Sequence, residues 1–263
     1  MGEHREVTLE EVKKFWNANP VAAAAVPYDL GTREYFEYYN KLREKNESIE
    51  FSYELHEYKN FKGKKVLDVG CGNGYVLSKY AKEGADVYGI DITETGISLC
   101  KKRFQYEGLS GNFQVANAEE LPFADETFDC VCSMGVLHHV PNTEKAVAEI
   151  FRVLKKGARL IVMFYSRESA WYRIGMRAQR IREGKSFEQQ VDEVDGAGNP
   201  KGDVYSRKEL ANLLKRFERL EMFAGLLNSF MFPFGKLIPE ALLKPFERKY
   251  GWFLYAKGYK PGK

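Results

Sequence analysis

One stretch, Val66-Leu67-Asp68-Val69-Gly70-Cys71-Gly72-Asn73-Gly74, restricts what this chain can fold into more than any other. Its first half is apolar and β-rich and reads as a short buried strand. Its second half is a glycine-rich turn that opens a helix over Tyr75–Lys82. Glycine at every second position demands backbone conformations closed to residues with a Cβ, and a close approach to a ligand. The next strand, Asp86 to Ile90, delivers Asp91, about 20 residues beyond the first glycine, where an acidic group meets a ribose diol. A nucleoside-containing cofactor is therefore expected over this turn.

The spacing narrows its identity. A dinucleotide needs its pyrophosphate on the helix N-terminus and a third glycine in the order G-x-G-x-x-G. Here the third glycine comes one residue early, and Tyr75 stands at the packing position. Asp68, two residues before Gly70, would repel a pyrophosphate. A cofactor with an adenosine and no phosphates fits better, and S-adenosylmethionine is the obvious one.

The 263 residues suffice for one generous domain with a real core. A hydrophobic share of 44% and a charged share of 29% are globular values. The net charge of +3 is small and dispersed, which argues against a nucleic-acid partner. No apolar run approaches the ~20 residues of a membrane span, so no membrane partner is expected. The polar N-terminus, Met1-Gly2-Glu3-His4-Arg5-Glu6, does not read as a signal peptide, which makes the cytoplasm the expected location. Cys71, Cys100, Cys130 and Cys132 show no metal-ligand spacing and read as reduced, packed thiols; no metal is expected.

Residues 1–60 read as a helical appendage or lid, and 61–263 as the main domain with insertions at about 166–206 and 225–250. Within the appendage the patterning predicts helices over Glu10–Asn17, Thr32–Asn46 and Glu50–Lys59, whose aromatics mostly pack on the sheet. The core then alternates strand and helix, as in a mostly parallel sheet covered on both faces. Strands are expected at Val66–Val69, Val87–Ile90, Asn112–Ala116, Phe128–Cys132, Arg159–Phe164, Leu220–Ala224 and Trp252–Tyr259. An amphipathic helix is expected over Thr143–Leu154, and a helix over Trp171–Glu183 with Arg173, Arg177 and Arg180 along it. Residues 184–203 read as a long polar loop.

Three further motifs follow the glycine turn in order. After the third strand comes Asn117-Ala118-Glu119-Glu120-Leu121-Pro122-Phe123, with Asp125, Phe128 and Asp129 behind it. After the fourth comes Ser133-Met134-Gly135-Val136-Leu137-His138-His139-Val140. Then comes Arg152-Val153-Leu154-Lys155-Lys156-Gly157. With strand, acidic residue and G-x-G-x-G, these resemble the class I S-adenosylmethionine-dependent methyltransferases, in particular the ubiquinone-biosynthesis-like branch (methyltransferase type 11). Asn117 replaces that branch's usual aspartate, and Lys156 its proline. The resemblance covers about residues 60–165. It implies a Rossmann-like, seven-stranded, mostly parallel sheet with the last strand inserted antiparallel, and S-adenosyl-L-methionine as cofactor.

It also implies roles. Asp91 would take the ribose hydroxyls and Ile92 cover an adenine face. Asn117 would accept from the adenine amine, with the amide of Ala118 donating to the ring and Glu119 beside it. Gly70, Cys71 and Gly72 would pass the methionine half, the Gly70 and Ser133 carbonyls taking its ammonium and Asp68 supporting it.

The expected reaction is in-line methyl transfer to a small-molecule acceptor inside a closed, aromatic-lined chamber, with little acid–base machinery. Tyr28, Tyr35, Tyr39 and Tyr165 are the candidate walls, and His138 the candidate base. An alternative consumes the cofactor without methylation, for example closing its aminobutyrate part into an azetidine ring. A non-catalytic binding module would show decay in the glycine motif or at Asp91, and both are intact. The aromatic run Phe230-Met231-Phe232-Pro233-Phe234 packs under a cap or against a second subunit, so a homodimer is possible.

Overall fold

The computed structural model describes residues 7–232 and 234–262. The expectation for Met1–Glu6, and Pro233 within the aromatic run, lie outside the described residues. Thr8 and Glu11 form a capping box that starts helix α1, Leu9–Ala18. Thr32 caps α2, Arg33–Asn46, and Ser48 caps α3, Ile49–His56. Alternation then sets in: β1 Lys65–Val69, α4 Tyr75–Lys82, β2 Asp86–Asp91, α5 Glu94–Glu107, β3 Asn112–Val115, β4 Phe128–Met134, α6 Thr143–Val153 and β5 Leu154–Ser166. Beyond β5 come a π-helical turn Trp171–Gly175, α7 Met176–Glu183, α8 Phe187–Asp192, β6 Val204–Tyr205, α9 Arg207–Leu213, β7 Glu218–Gly225, α10 Glu240–Tyr250 and β8 Phe253–Tyr259.

The sheet order is β3-β2-β1-β4-β5-β8-β7, with β6 paired beside β5 off that path. β8 runs antiparallel to both β5 and β7, while β1 to β5 pair in parallel. The chain reverses its direction of winding between β1 and β4, and in such sheets ligands bind at the strand C-termini beside that switch point. The seven-stranded path agrees with expectation; the eighth strand, β6, is two residues long and carried no pattern.

Side chains alternate between two cores, as the period of a strand requires. Val66, Cys130, Cys132, Ile161 and Tyr255 face the layer of α2 to α5. Leu67, Val131, Leu160, Val162 and Leu254 face α6 and α9. The four cysteines are free and buried. Within the first core Tyr35, Phe36, Leu55 and Tyr58 are fully buried with Leu77 and Tyr80. Residues 7–60 are thus not one detachable unit: α2 and α3 belong to the core, and α1 alone rests on top.

The helix expected over Trp171–Glu183 forms with a π-helical first turn, Trp171–Gly175, and Gly175 lies so close to the Met231 carbonyl that a Cβ there would stand 2.3 Å from its oxygen. One expectation beyond β5 is corrected. The stretch 184–203 is not one polar loop. A capping box of Ser186 and Gln189 nucleates α8, and Val191, Gln190 and Asn199 are buried.

Arg103, fully buried on α5, ties these layers together. Its Nε donates to the Asn73 carbonyl at 2.7 Å, and Nη1 reaches Asn40 on α2 at 2.9 Å and Glu107 at 3.1 Å. Its guanidinium lies over the Phe36 ring at 4.6 Å. Arg103→Ala strips these groups of a buried charged partner and is expected to cost about 3–5 kcal/mol of folding stability, measured by urea unfolding. A loss below about 1 kcal/mol would mean that water replaces the guanidinium without penalty.

Candidate functional site

The turn after β1 is built as its glycines demand. Gly70, Gly72 and Gly74 have φ of 79°, 49° and 76°, values an L side chain resists. At Gly70 space adds to the constraint, since a Cβ would stand 2.3 Å from the Val136 side chain. The amides of Gly70 and Cys71 both donate to the Ile90 carbonyl, each at 2.8 Å. The Gly72 amide donates to Asp91 Oδ2 at 3.0 Å. The end of β2 therefore holds the turn open over the C-terminal edge of the sheet.

A cavity occupies this edge. Its floor is Asp68 and the glycine turn; Asp91, Ile92 and Thr93 form one side, and Asn117 and Ala118 the next. Met134, Gly135, Val136, His139 and Val140 close the β4 side. Tyr35, Tyr39 and Arg43 of α2 stand across from them, and Leu9, Val12 and Trp16 of α1 make the roof. The roof is fastened on both sides. Lys13 pairs with Glu94 at 2.9 Å and Asn17 donates to Glu94 at 3.2 Å, while the Trp16 ring packs edge-on against His139 at 5.0 Å.

Two carboxylates shape the electrostatics. Asp68 is buried and its Oδ1 has no hydrogen-bond partner. Burial, reinforced by the neighbouring Asp91 charge, pushes its pKa up to about 7, against the pull of the Cys132 thiol and Arg43. Burial also raises Asp91, offset by bonds from Thr93 and Gly72. Asp91 Oδ1 accepts from the Thr93 amide at 2.9 Å and the Thr93 hydroxyl at 2.6 Å. With Gly72 on Oδ2, one acceptor position on Oδ2 stays open. The Asn117 Oδ1 accepts from the Glu119 amide at 3.0 Å and keeps a second lone pair.

The structure brings Asp68, Gly70, Cys71, Gly72, Asp91, Ile92, Asn117, Ala118, Tyr35 and Tyr39 together around the cavity. Five expected residues do not line it. Tyr28 lies before α2 on the outer surface, its ring against Tyr38. Ser133, expected to act through its carbonyl, is not among the lining residues; it is fully buried, with its hydroxyl donating to the Val69 carbonyl at 2.8 Å. Glu119 accepts from the Asn142 amide at 2.8 Å. His138 and His139 share a 3₁₀ turn, which sends successive side chains about 120° apart, so only one ring faces the cavity. That ring is His139. His138 is fully buried with neither nitrogen partnered, and burial holds its pKa well below the ordinary value. Tyr165 packs on the His138 ring at 4.2 Å and donates to Asp195 at 2.7 Å. Asp195 in turn stands 3.5 Å from His139 Nε2, while His139 Nδ1 meets the Lys201 carbonyl at 2.6 Å.

Arg43 was missed. It pairs with Glu47 at 2.7 Å, and Glu47 accepts a hydrogen bond from Tyr255. In sequence an i,i+4 Arg–Glu pair reads as a solvated helix face, and nothing local reveals that this one is covered.

Asp68 carries a pH signature. Its folded pKa of about 7 lies above the unfolded carboxyl value, so between about pH 4 and 7 the native state holds a proton that the unfolded chain has lost. Its contribution is fully present below pH 4 and lost as pH rises to 7, at about 1.4 kcal/mol per unit. Asp68→Asn removes that slope. Its stability relative to the parent, from urea unfolding, is expected to grow by a few kcal/mol between pH 4 and 8. Parallel stability curves would show that Asp68 is ionised throughout.

Comparison with known proteins places this geometry. Residues 67–162 match a methyltransferase domain model. The ubiquinone/menaquinone biosynthesis C-methyltransferase UbiE of Cronobacter sakazakii is 38% identical over 111 residues, 40% of this chain and 44% of that protein. The match therefore spans less than half the length of that relative. The structure of the (4+2)-cyclase SpnF superposes with a TM-score of 0.59 at 18% identity, over 98% of both chains. A SAM-dependent methyltransferase from Methanosarcina mazei gives a TM-score of 0.55 at 21% identity, over 79% of this chain and 98% of that one. At such identities the structural likeness speaks for the fold alone. The sequence match falls on the strands, the turn and the β4 loop that build the cavity, and over residues 67–162 the chain is similar to a methyltransferase domain.

Proposed function

We propose that the protein transfers the methyl group of S-adenosylmethionine to a small-molecule acceptor in the chamber roofed by α1. The observation that carries this reading is the unpartnered Asp68 Oδ1 on the cavity floor, beside the glycine turn. A buried carboxylate oxygen without a donor is costly unless a cation or hydrogen-bond donor meets it, and the ammonium of the methionine half suits it. The residues thus fit the cofactor. In this reading Asp68 holds the ammonium end and the open position on Asp91 Oδ2 takes a ribose hydroxyl. Asn117 reads the adenine amine through its second lone pair, with Ile92 and Ala118 as apolar walls. When bound, the cofactor supplies an electrophilic methyl on a sulfonium.

The chain's own residues do the rest by positioning. Leu9, Val12 and Trp16 exclude water, which would otherwise mask the attacking lone pair. Tyr35 and Tyr39 line the cavity, and aromatic walls suit a positive centre. Among the described residues the one imidazole on the wall is His139, whose Nδ1 meets the Lys201 carbonyl while Nε2, 3.5 Å from Asp195, has no hydrogen-bond partner. An acceptor that is already nucleophilic, needing alignment more than proton removal, suits this wall. The name of the curated relatives puts carbon acceptors first among those to screen.

Asp91→Ala is expected to weaken binding of S-adenosylmethionine, measured calorimetrically, by about 1.5–3 kcal/mol while the fold persists. An unchanged dissociation constant would remove Asp91 from the ribose. Deleting residues 1–19 takes away the roof without opening the α2 core. Turnover with labelled cofactor is expected to fall about a hundredfold while cofactor binding survives in weakened form. Full turnover would make α1 packing only. Methylthioadenosine formed from cofactor alone would favour cofactor consumption without methyl transfer.

A further inference from the structure

Beyond β7 the chain builds a small cap with its own core of Ala170, Leu226, Leu227, Met231 and Leu243. The cap leaves large apolar side chains outside. Phe234 is 86% exposed and Leu237 83%, with Phe230, Leu242 and Phe246 all more than half exposed. On α10 the division is regular. Leu243, Glu247 and Tyr250 turn inward at helical spacing, while Leu242 and Phe246, one turn apart, point out with Ala241 and Pro245 next to them. An amphipathic helix on a protein surface ordinarily buries its apolar stripe. This one leaves Leu242 and Phe246 outside as well, among the exposed Lys244, Arg248 and Lys249.

The charges around it are sorted. Residues 226–250 contain two acids, and both are spent on backbone amides: Glu240 accepts from Ser229 at 3.0 Å and Glu247 from Leu226 at 2.9 Å. Lys236 lies between Phe234 and Leu237, and Lys244 between Leu242 and Phe246. Neither forms an ion pair with a described residue. Exposed aromatic and aliphatic groups interleaved with unpaired lysines complement a surface that is apolar beneath and anionic above.

We propose that this cap docks on the surface of an anionic lipid bilayer, Phe234, Leu237, Leu242 and Phe246 entering the headgroup boundary and Lys236 and Lys244 meeting lipid phosphates. A second copy of the chain fits less well, because a two-fold interface over this patch would gather Lys236 and Lys244 of both copies in one apolar seam where Glu240 and Glu247 are already engaged by backbone amides. No helix among the described residues is long and apolar enough to cross a membrane, and peripheral docking needs none.

Flotation of the full chain with vesicles tests this, comparing phosphatidylcholine alone with phosphatidylcholine containing phosphatidylglycerol. Binding is expected to the anionic vesicles at low salt, about tenfold or more weaker to neutral ones, and to fall as salt rises. Lys236→Glu with Lys244→Glu, on exposed positions, should abolish it, as should Phe234→Ser with Leu237→Ser. Both double variants are expected to keep the parent's melting temperature and cofactor affinity. Equal binding to neutral and anionic vesicles, no vesicle binding by the parent, or binding that survives either variant overturns the proposal. So does a dimer by light scattering that the Phe234→Ser, Leu237→Ser variant dissociates.

Discussion

The site depends on one carbonyl. Ile90, the penultimate residue of β2, receives the amides of both Gly70 and Cys71. It does so only because all three glycines of the turn accept a left-handed backbone. This shared acceptor fastens the end of β1 to the end of β2, so Asp68 and Asp91 arrive in the same cavity. From the other side the Arg103 guanidinium grips the Asn73 carbonyl, so the turn is clamped between β2 and α5. Sheet order, roof and electrostatics all refer to that clamped turn.

Burial gives the clamp its chemical meaning. Asp68 sits three residues beyond the first residue of β1, on the strand face shared with Cys132 and away from bulk water. Its unpartnered oxygen is an unfavourable feature for folding, and Asp91 close by makes it more so. Sites that bind charged ligands keep such strain in the free protein, and the ligand relieves it. The cap shows the opposite arrangement. There the acids are tied to backbone amides and the cations and apolar groups are turned outward, an arrangement suited to a surface and not to a pocket.

What the sequence made legible follows from how local each signal is. The glycine turn, Asp91 and the strand–helix alternation rest on spacing within a few residues, and the structure repeats them nearly residue for residue. The Asn117–Ala118 wall came from motif resemblance, and both residues line the cavity. The acceptor side was harder, since facing depends on turn geometry. Two adjacent histidines look equivalent in a sequence, yet a 3₁₀ turn buries His138 and gives the wall to His139. Tyr28 and Tyr165 are aromatic near the right elements, but one lies outside and the other is covered by Asp195. Leu9, Val12 and Arg43 reach the cavity only through tertiary packing, which no local pattern encodes. The Ser186–Gln189 capping box was readable and would have replaced a supposed loop with α8.

The central claim is that the cavity over the clamped turn holds S-adenosylmethionine with its ammonium at Asp68 and its adenine between Ile92 and Ala118. A crystal structure with S-adenosylhomocysteine, the demethylated product, tests it most directly. The account predicts the amine nitrogen at hydrogen-bond distance from Asp68 or linked to it by one water, and the adenine amine on the Asn117 carbonyl. A ligand bound outside the glycine turn, or one that turns its carboxylate to Asp68, would contradict it.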